Sequence, residues 1–412
     1  MRWLLSLCLS MACGTAQGAV AIVHARAFTM TAAGTVDDAT VVMAGGRIVS
    51  VLAHGPAPAG AQVIDAAGRI VTPGLVSAAT QLGLVEVVDA SDTDDRAVTS
   101  GPLGAALDIA YAFNANSVLL PVARADGVTR ALIFPGQGVG PFSGQAALIR
   151  LVPPGGMVEK PRAAVFAVTG QAGQAKAGGS RAAGWTLVRN ALDEARRLDG
   201  GRLAPGERLT SRPDLEALRP LLAGAVPLVI QADRASDLRE AIALARDEKV
   251  RVVILGGAEA WSLASDLAAA KIPVILDPQA DMPQTFDQIG ARLDNAALLA
   301  RAGVAIAFSV SGNGVYLSYD VGEAMRWGAG LAAANGLAYD AALAAITRGA
   351  AAIFAFPGGA GTLAAGADGD MVVWDGDPLE PASAPAAVFV GGRAAPLVTR
   401  QSLLRDRYAP RR

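Results

Sequence analysis

Imidazole is scarce in this chain: its 412 residues include two histidines, His24 and His54. Lysine occurs four times, at Lys160, Lys176, Lys249 and Lys271, and the two cysteines are Cys8 and Cys13. The side chains that most often bind metals or act as nucleophiles are therefore nearly absent, and any chemistry falls to carboxylates, amides and hydroxyls. Asp233, Glu259 and Asp277 are the candidate catalytic groups, with Gln81, Glu86, Gln231 and Ser311 as candidate pocket residues. Carboxyl groups whose pKa values are separated by burial can act as general acid and base without a metal. An all-carboxylate cluster would select Mg, Ca or Mn over Zn. A plainer reading has Asp233 and Asp277 capping turns or helices and Glu259 as an exposed acid in the first turn of a helix. The run DASDTDD at 89–95 lacks the glycine and distal glutamate of a calcium loop, which favours a solvated loop. The glycine-rich stretch PGQGVGPFSGQ at 135–145 could cradle an anion through its amides, but it has no Lys-Ser/Thr pair and no dinucleotide spacing. A backbone loop lining a barrel mouth is the alternative, with Asn313, Tyr316 and Tyr319 facing the same mouth or serving a structural role.

Apolar runs of four to seven residues alternate with helical segments from residue 117 onward. Expected strands are 129–134, 163–168, 227–231, 251–255, 273–276 and 304–308. Expected helices are 181–198, 236–247, 259–270, 291–302, 320–334 and 339–354, with Ser236 and Asp320 as N-caps. Residues 170–180, GQAGQAKAGGS, read as a flexible insert. Such alternation indicates a parallel sheet, and the number of units favours closure into a barrel. Both ends have a different texture, with short β-rich runs separated by Gly, Asp and Pro turns. The expected fold is therefore α/β: a distorted (β/α)8 TIM barrel plus a composite β-sandwich built from both chain ends. The boundaries are 1–18 for a leader, 19–72 and 360–400 for the sandwich, 73–359 for the barrel and 401–412 for a tail.

Apolar residues make up 52% of the chain but no run after the N-terminus is long enough to span a membrane, so the apolar content belongs to a core. Formal net charge is −2, which leaves no electrostatic footprint for nucleic acid or an anionic membrane. Residues 1–18 combine Arg2, an apolar stretch from Trp3 to Ala12 and the small-residue site Ala16-Gln17-Gly18, the pattern of a secretory signal peptide and hence of a periplasmic protein. Lipid attachment at Cys13 is the alternative to cleavage near Gly18. Cleavage would leave no thiol in the mature protein.

Two stretches, VIDAAGRIVTPGLVSAATQLGL (63–84) and GTLAAGADGDMVVWDGDPLE (361–380), resemble the entry to and exit from the barrel in the amidohydrolase superfamily, especially its secreted imidazolonepropionase-like members. DGVTRALIFPGQ (126–137), IQADRASDLREAI (230–242), VVILGGAEAWSLASDL (252–267) and AALLARAGVAIAF (296–308) follow in the order of that family. The resemblance implies hydrolysis of non-peptide carbon-nitrogen bonds by a metal-bound water, with zinc or another divalent metal held by histidines, an aspartate and often a carbamylated lysine. Carried over by position, those ligands fall on Ala79, Gln81, Gln231, Gly256 and either Val310 or Ser311. Lys249 and Lys271 precede strands at the opposite end of the barrel, Lys160 also precedes a strand, and Lys176 is in the insert. No cofactor is expected. Two functions stay open: an exported hydrolase of the family that has lost its metal mechanism, and a non-catalytic periplasmic binding or scaffold protein with a small-molecule ligand.

Overall fold

The computed structural model describes residues 18–280, 282–310 and 315–409, so all of the 1–18 leader but Gly18, and candidates Ser311 and Asn313, lie outside the described residues. Near the N-terminus, β-branched and alanine-rich runs form β1 (Val20–Phe28), β2 (Thr35–Ala44), β3 (Arg47–Ala53), β4 (Gln62–Asp65) and β5 (Ile70–Pro73). The barrel strands are β6 (Leu75–Thr80), β7 (Val128–Ile133), β8 (Phe142–Arg150), β9 (Met157–Val168), β10 (Leu228–Ala232), β11 (Val252–Gly256), β12 (Val274–Leu276) and β13 (Ile306–Phe308). The chain returns to the first region as β14 (Met371–Trp374), β15 (Pro385–Val390) and β16 (Arg393–Ala394).

Strands from the two chain ends join in one eight-stranded sheet ordered β16-β15-β14-β5-β1-β2-β3, with β4 also on β1. The seam is antiparallel, placing Met371 opposite Pro73 and Val373 opposite Val71. Ile22, Val41, Met43, Val71, Met371 and Phe389 form its core. Both histidines belong to this sheet region and are exposed, His24 beside Asp65 at 3.1 Å and His54 beside Asp38 at 2.7 Å.

The second sheet runs in order from β6 to β13. Ser309 Oγ at the end of β13 donates to Ala79 O on β6 at 2.5 Å, bringing the two edges of this nearly closed barrel together. Seven strands run in one direction and β8 runs against them, antiparallel to both β7 and β9. Only residues 134–141 and 151–156 connect these strands, too few for the crossover of a dozen or more residues that a parallel neighbour requires. This is the distortion of the (β/α)8 pattern, and it draws the last four residues of the glycine-rich 135–145 stretch into β8.

Alternation along each strand sorts the core into two layers. Leu132, Leu148, Phe166, Val229, Val253 and Ile275 pack inside the barrel, plugged by Ile353 and Phe354 of helix Arg348–Phe354. Their neighbours Ile133, Ile149, Val165, Leu228, Ile254 and Val274 face the surrounding helices. Arg130, at the foot of β7 and 1% exposed, joins the sheets by pairing with Asp370 at 2.7 Å, Asp368 at 2.5 Å and Glu159 at 3.0 Å. Arg150 reaches Asp370 at 2.6 Å.

Several local expectations change. Residues 170–180 are ordered as helix Gly170–Gln174 and a 3-10 turn Ala175–Ala177, which carries Lys176. The expected N-cap Ser236 lies inside helix Ala235–Glu248, whose cap position is Arg234; Asp320 is at its cap position but makes no capping bond through its side chain. The 259–270 segment is a 3-10 turn followed by the short helix Ala264–Ala269, and 339–354 is split at Ile346–Thr347. Lys160 lies within β9 instead of preceding it. Helix Arg212–Leu222 is not among the expected helices.

Asp126, partly buried just before β7, is pushed up to about 7, chiefly by burial and then by the Glu323 carboxylate, against the attraction of Arg326. The unfolded chain ionises this group near its ordinary value of 3.8, whereas the folded protein holds the proton to about 7. Its contribution to stability is complete at acid pH and declines as pH rises through that window. Asp126→Asn is expected to remove this decline. Its gain over the wild type should grow between pH 5 and pH 8 to on the order of 2–4 kcal/mol, as measured by urea unfolding at each pH. A gain that is the same at both values would show that Asp126 titrates normally.

Candidate functional site

In a barrel of this kind the ligand end is the one reached by the C-terminal ends of the parallel strands. Inward parity there continues from Val229 to Gln231, from Val253 to Leu255, from Ile275 to Asp277 and from Ala307 to Ser309. The centre of this layer is apolar. Phe134 and Phe166 stack at 4.9 Å and 14°, and Phe134 also meets the cluster formed by Val310, Leu317 and Ala324.

Gln81, 6% exposed, accepts a hydrogen bond from Arg96 Nη1 at 3.1 Å through its Oε1. Arg96 is held in turn by Asp94, which accepts from Nε at 2.7 Å and from Nη2 at 2.5 Å. The pair shifts both groups: Arg96 holds the Asp94 carboxyl below its usual range, and Asp94 pushes the guanidinium up. Asp94 is the one acid of the 89–95 run so engaged, while Ser91–Thr93 forms a 3-10 turn. Arg96 was not among the sequence candidates; its only signal was its place directly after the acidic run.

Asp233, Glu259 and Asp277 each follow a barrel strand at the mouth end, and their oxygens are used for bracing. Asp233 Oδ1 accepts from Ala258 N at 3.1 Å and Oδ2 from Gln288 Nε2 at 3.3 Å. Burial raises its pKa against the effect of these two bonds. Glu259 Oε2 accepts from Ala235 N at 2.7 Å and Oε1 from Gly290 N at 3.1 Å, and the residue is half-buried, not the exposed first-turn acid expected. Asp277 Oδ1 closes a turn on Gln279 N at 2.9 Å. Asp287, which is not among the candidate residues, accepts from Gln171 N at 2.5 Å and Arg181 Nη2 at 2.7 Å. Thus Asp233, Glu259 and Asp287 tie segment 282–293 to the barrel, and that segment turns Met282, Phe286 and Ile289 outward. Glu86 Oε1 accepts from Asn114 Nδ2 at 2.8 Å, and its main-chain oxygen accepts from the Tyr319 hydroxyl. Its Oε2 is buried with no hydrogen-bond partner among the described residues. Gln231 is half-buried at the mouth, and its main-chain oxygen accepts from Thr169.

Gly256 decides what this mouth can hold. It sits at φ +103°, and a Cβ built on it would lie 2.6 Å from Asp233 Oδ1. The space into which a side chain at this position would grow is already filled by a carboxylate.

The overall fold has counterparts among solved structures. A crystal structure of an amidohydrolase from Thermotoga maritima MSB8 matches with a TM-score of 0.81 at 23% identity, over 91% of this chain and 99% of that one. Residues 250–397 also match the model of the amidohydrolase family. The chain is built on the amidohydrolase fold. More distant examples are N-isopropylammelide isopropylaminohydrolase from Burkholderia multivorans (TM-score 0.53, 16% identity, 92% of this chain and 98% of that one) and triazine hydrolase from Arthobacter aurescens (0.54, 17%, 95% and 98%). No curated protein matches.

The divalent metal implied by the amidohydrolase resemblance does not fit the residues at the expected positions. Ala79 and Val310 offer no donor, Ser311, the alternative to Val310, lies outside the described residues, Gly256 has no side chain and no room for one, and Gln81 already binds a cation through its carbonyl oxygen. Gln231 supplies only a neutral amide. Among the described residues no group of three or more His, Cys, Asp or Glu is arranged to hold a metal ion. His24 and His54 belong to the other sheet, and Lys249 and Lys271 lie at the base of the barrel.

Proposed function

We propose that this is an exported protein that keeps the amidohydrolase barrel as a binding scaffold and has given up hydrolysis by metal-bound water. The carboxylate of Asp233 over Gly256 carries this reading, because it fills a position the resemblance assigns to a metal-binding histidine. The arginine at Gln81 and the Phe134–Phe166 stack support it, since a fixed guanidinium and an apolar centre both disfavour a second cation there. Export rests on the pattern of residues 1–18.

The test is metal analysis and calorimetric titration of the purified protein with Zn, Mn and Fe, alongside assays on amides, lactams and cyclic ureas. The expected result is no stoichiometric metal and no hydrolysis. One equivalent of tightly bound metal together with turnover would overturn the proposal.

Asp233 favours a second reading. A buried carboxyl whose pKa is raised keeps its proton to higher pH than an exposed one and can serve as a general acid. In that case Asp233→Asn would abolish a metal-independent hydrolysis that the wild type shows; its two bracing hydrogen bonds argue for the structural role.

A further inference from the structure

The foot of the barrel carries a cleft of about 740 Å³, at the opposite end from the mouth and independent of the proposal above. It opens between helices Ala235–Glu248 and Ala264–Ala269 and reaches the first residues of β11. Its walls are aliphatic, formed by Ile242, Ala243, Ala269 and Ile272 among others, and include no aromatic ring and no hydroxyl or amide side chain. Its rim is cationic. Arg239, Arg246, Arg251 and Lys271 line it against one carboxylate, Asp266, in a chain whose net charge is −2. Arg246 is tied to Asp247 at 2.9 Å, whereas the exposed side chains of Arg239, Arg251 and Lys271 have no ion-pair partner among the described residues.

We infer that this cleft binds a linear aliphatic anion of the fatty-acid type. A volume in the range of small-ligand pockets gives room for a hydrocarbon chain. Walls whose side chains carry no hydroxyl or amide suit a ligand whose body needs no hydrogen bond, because burying a polar group unpaired would cost free energy. Three unpaired cations at the opening suit one anionic head. An aromatic or sugar-like ligand would find neither a stacking surface nor an amide to orient it.

The experiment is isothermal titration of the full chain with dodecanoate below its micelle concentration, with dodecanol and acetate as controls. One dodecanoate is expected per chain, binding more weakly as salt rises, with much weaker binding of the alcohol and of acetate. Arg251→Ala/Lys271→Ala should weaken dodecanoate binding about tenfold or more, since both cations are lost at the head group. Ala243→Trp, which fills the groove and leaves Arg251 and Lys271 in place, should abolish binding. Melting temperatures equal to that of the wild type would confirm that both variants fold. Equal affinity for alcohol and carboxylate, uptake of many molecules per chain, or binding unchanged by both variants would overturn the assignment.

Discussion

Replacing Gly256 by alanine is expected to destabilise the protein by roughly 3 kcal/mol or more, although the change adds a single methyl group. Two costs combine. The residue holds φ +103°, a backbone region that a Cβ disfavours, and the methyl carbon would lie 2.6 Å from Asp233 Oδ1 and 3.3 Å from the main-chain oxygen of Ala232. Asp233 cannot simply swing aside, because its two oxygens are engaged by Ala258 N and Gln288 Nε2. Denaturant unfolding measures the loss, and a second variant separates its causes. Asp233→Ser in the alanine background should restore the part due to the collision and leave the backbone part. If Gly256→Ala unfolds at the wild-type midpoint, the carboxylate is not where the structure places it, and the argument against a histidine at this position fails with it.

Arg130→Ala should cost about 3–5 kcal/mol, because it leaves Asp370, Asp368 and Glu159 facing one another with the arginine gone. Arg150 remains beside Asp370 and Asp368 and keeps the loss from being larger. The network fastens the barrel foot to the turn before β14, so the variant should also loosen the attachment of the strand sheet. Hydrogen exchange at Met371–Trp374 reads this directly. Arg130→Lys should fall between wild type and alanine, since one ammonium cannot meet three carboxylates in the plane of a guanidinium. A variant that unfolds like the wild type would mean that the network contributes nothing net to stability.

Much of the barrel was legible in the chain. Expected strands at 129–134, 251–255 and 273–276 agree with β7, β11 and β12 to within about two residues, because buried parallel strands are continuous apolar runs bounded by turn residues. The meeting of the two chain ends was also readable, from their shared β texture and from the resemblance. The reversed β8 was not, because Phe142–Arg150 is buried at nearly every position and has no alternation to announce it. Residues 170–180 looked flexible for their glycines, yet Ser180 accepts from Ala183 N at the start of helix Arg181–Asp199, and Asp287 anchors Gln171 from more than a hundred residues away.

The candidate site divides the same way. Composition alone determined that imidazole would be missing from the barrel, because two histidines at positions 24 and 54 cannot supply a ligand set rooted in later strands. The chain also placed Asp233, Glu259 and Asp277 at the mouth end, since each follows an apolar strand. Their role was decided only by tertiary contacts. Whether a buried carboxylate is a free acid or a brace depends on which donors reach its oxygens, and here those donors are Ala258, Gln288, Ala235, Gly290 and Gln279, brought in from neighbouring loops. Arg96 reaching Gln81 and Asp233 lying over Gly256 are contacts of the same kind, between residues 15 and 23 positions apart in the chain. Spacing along a sequence places a residue on an element; only the packing of several elements determines what fills the space in front of it.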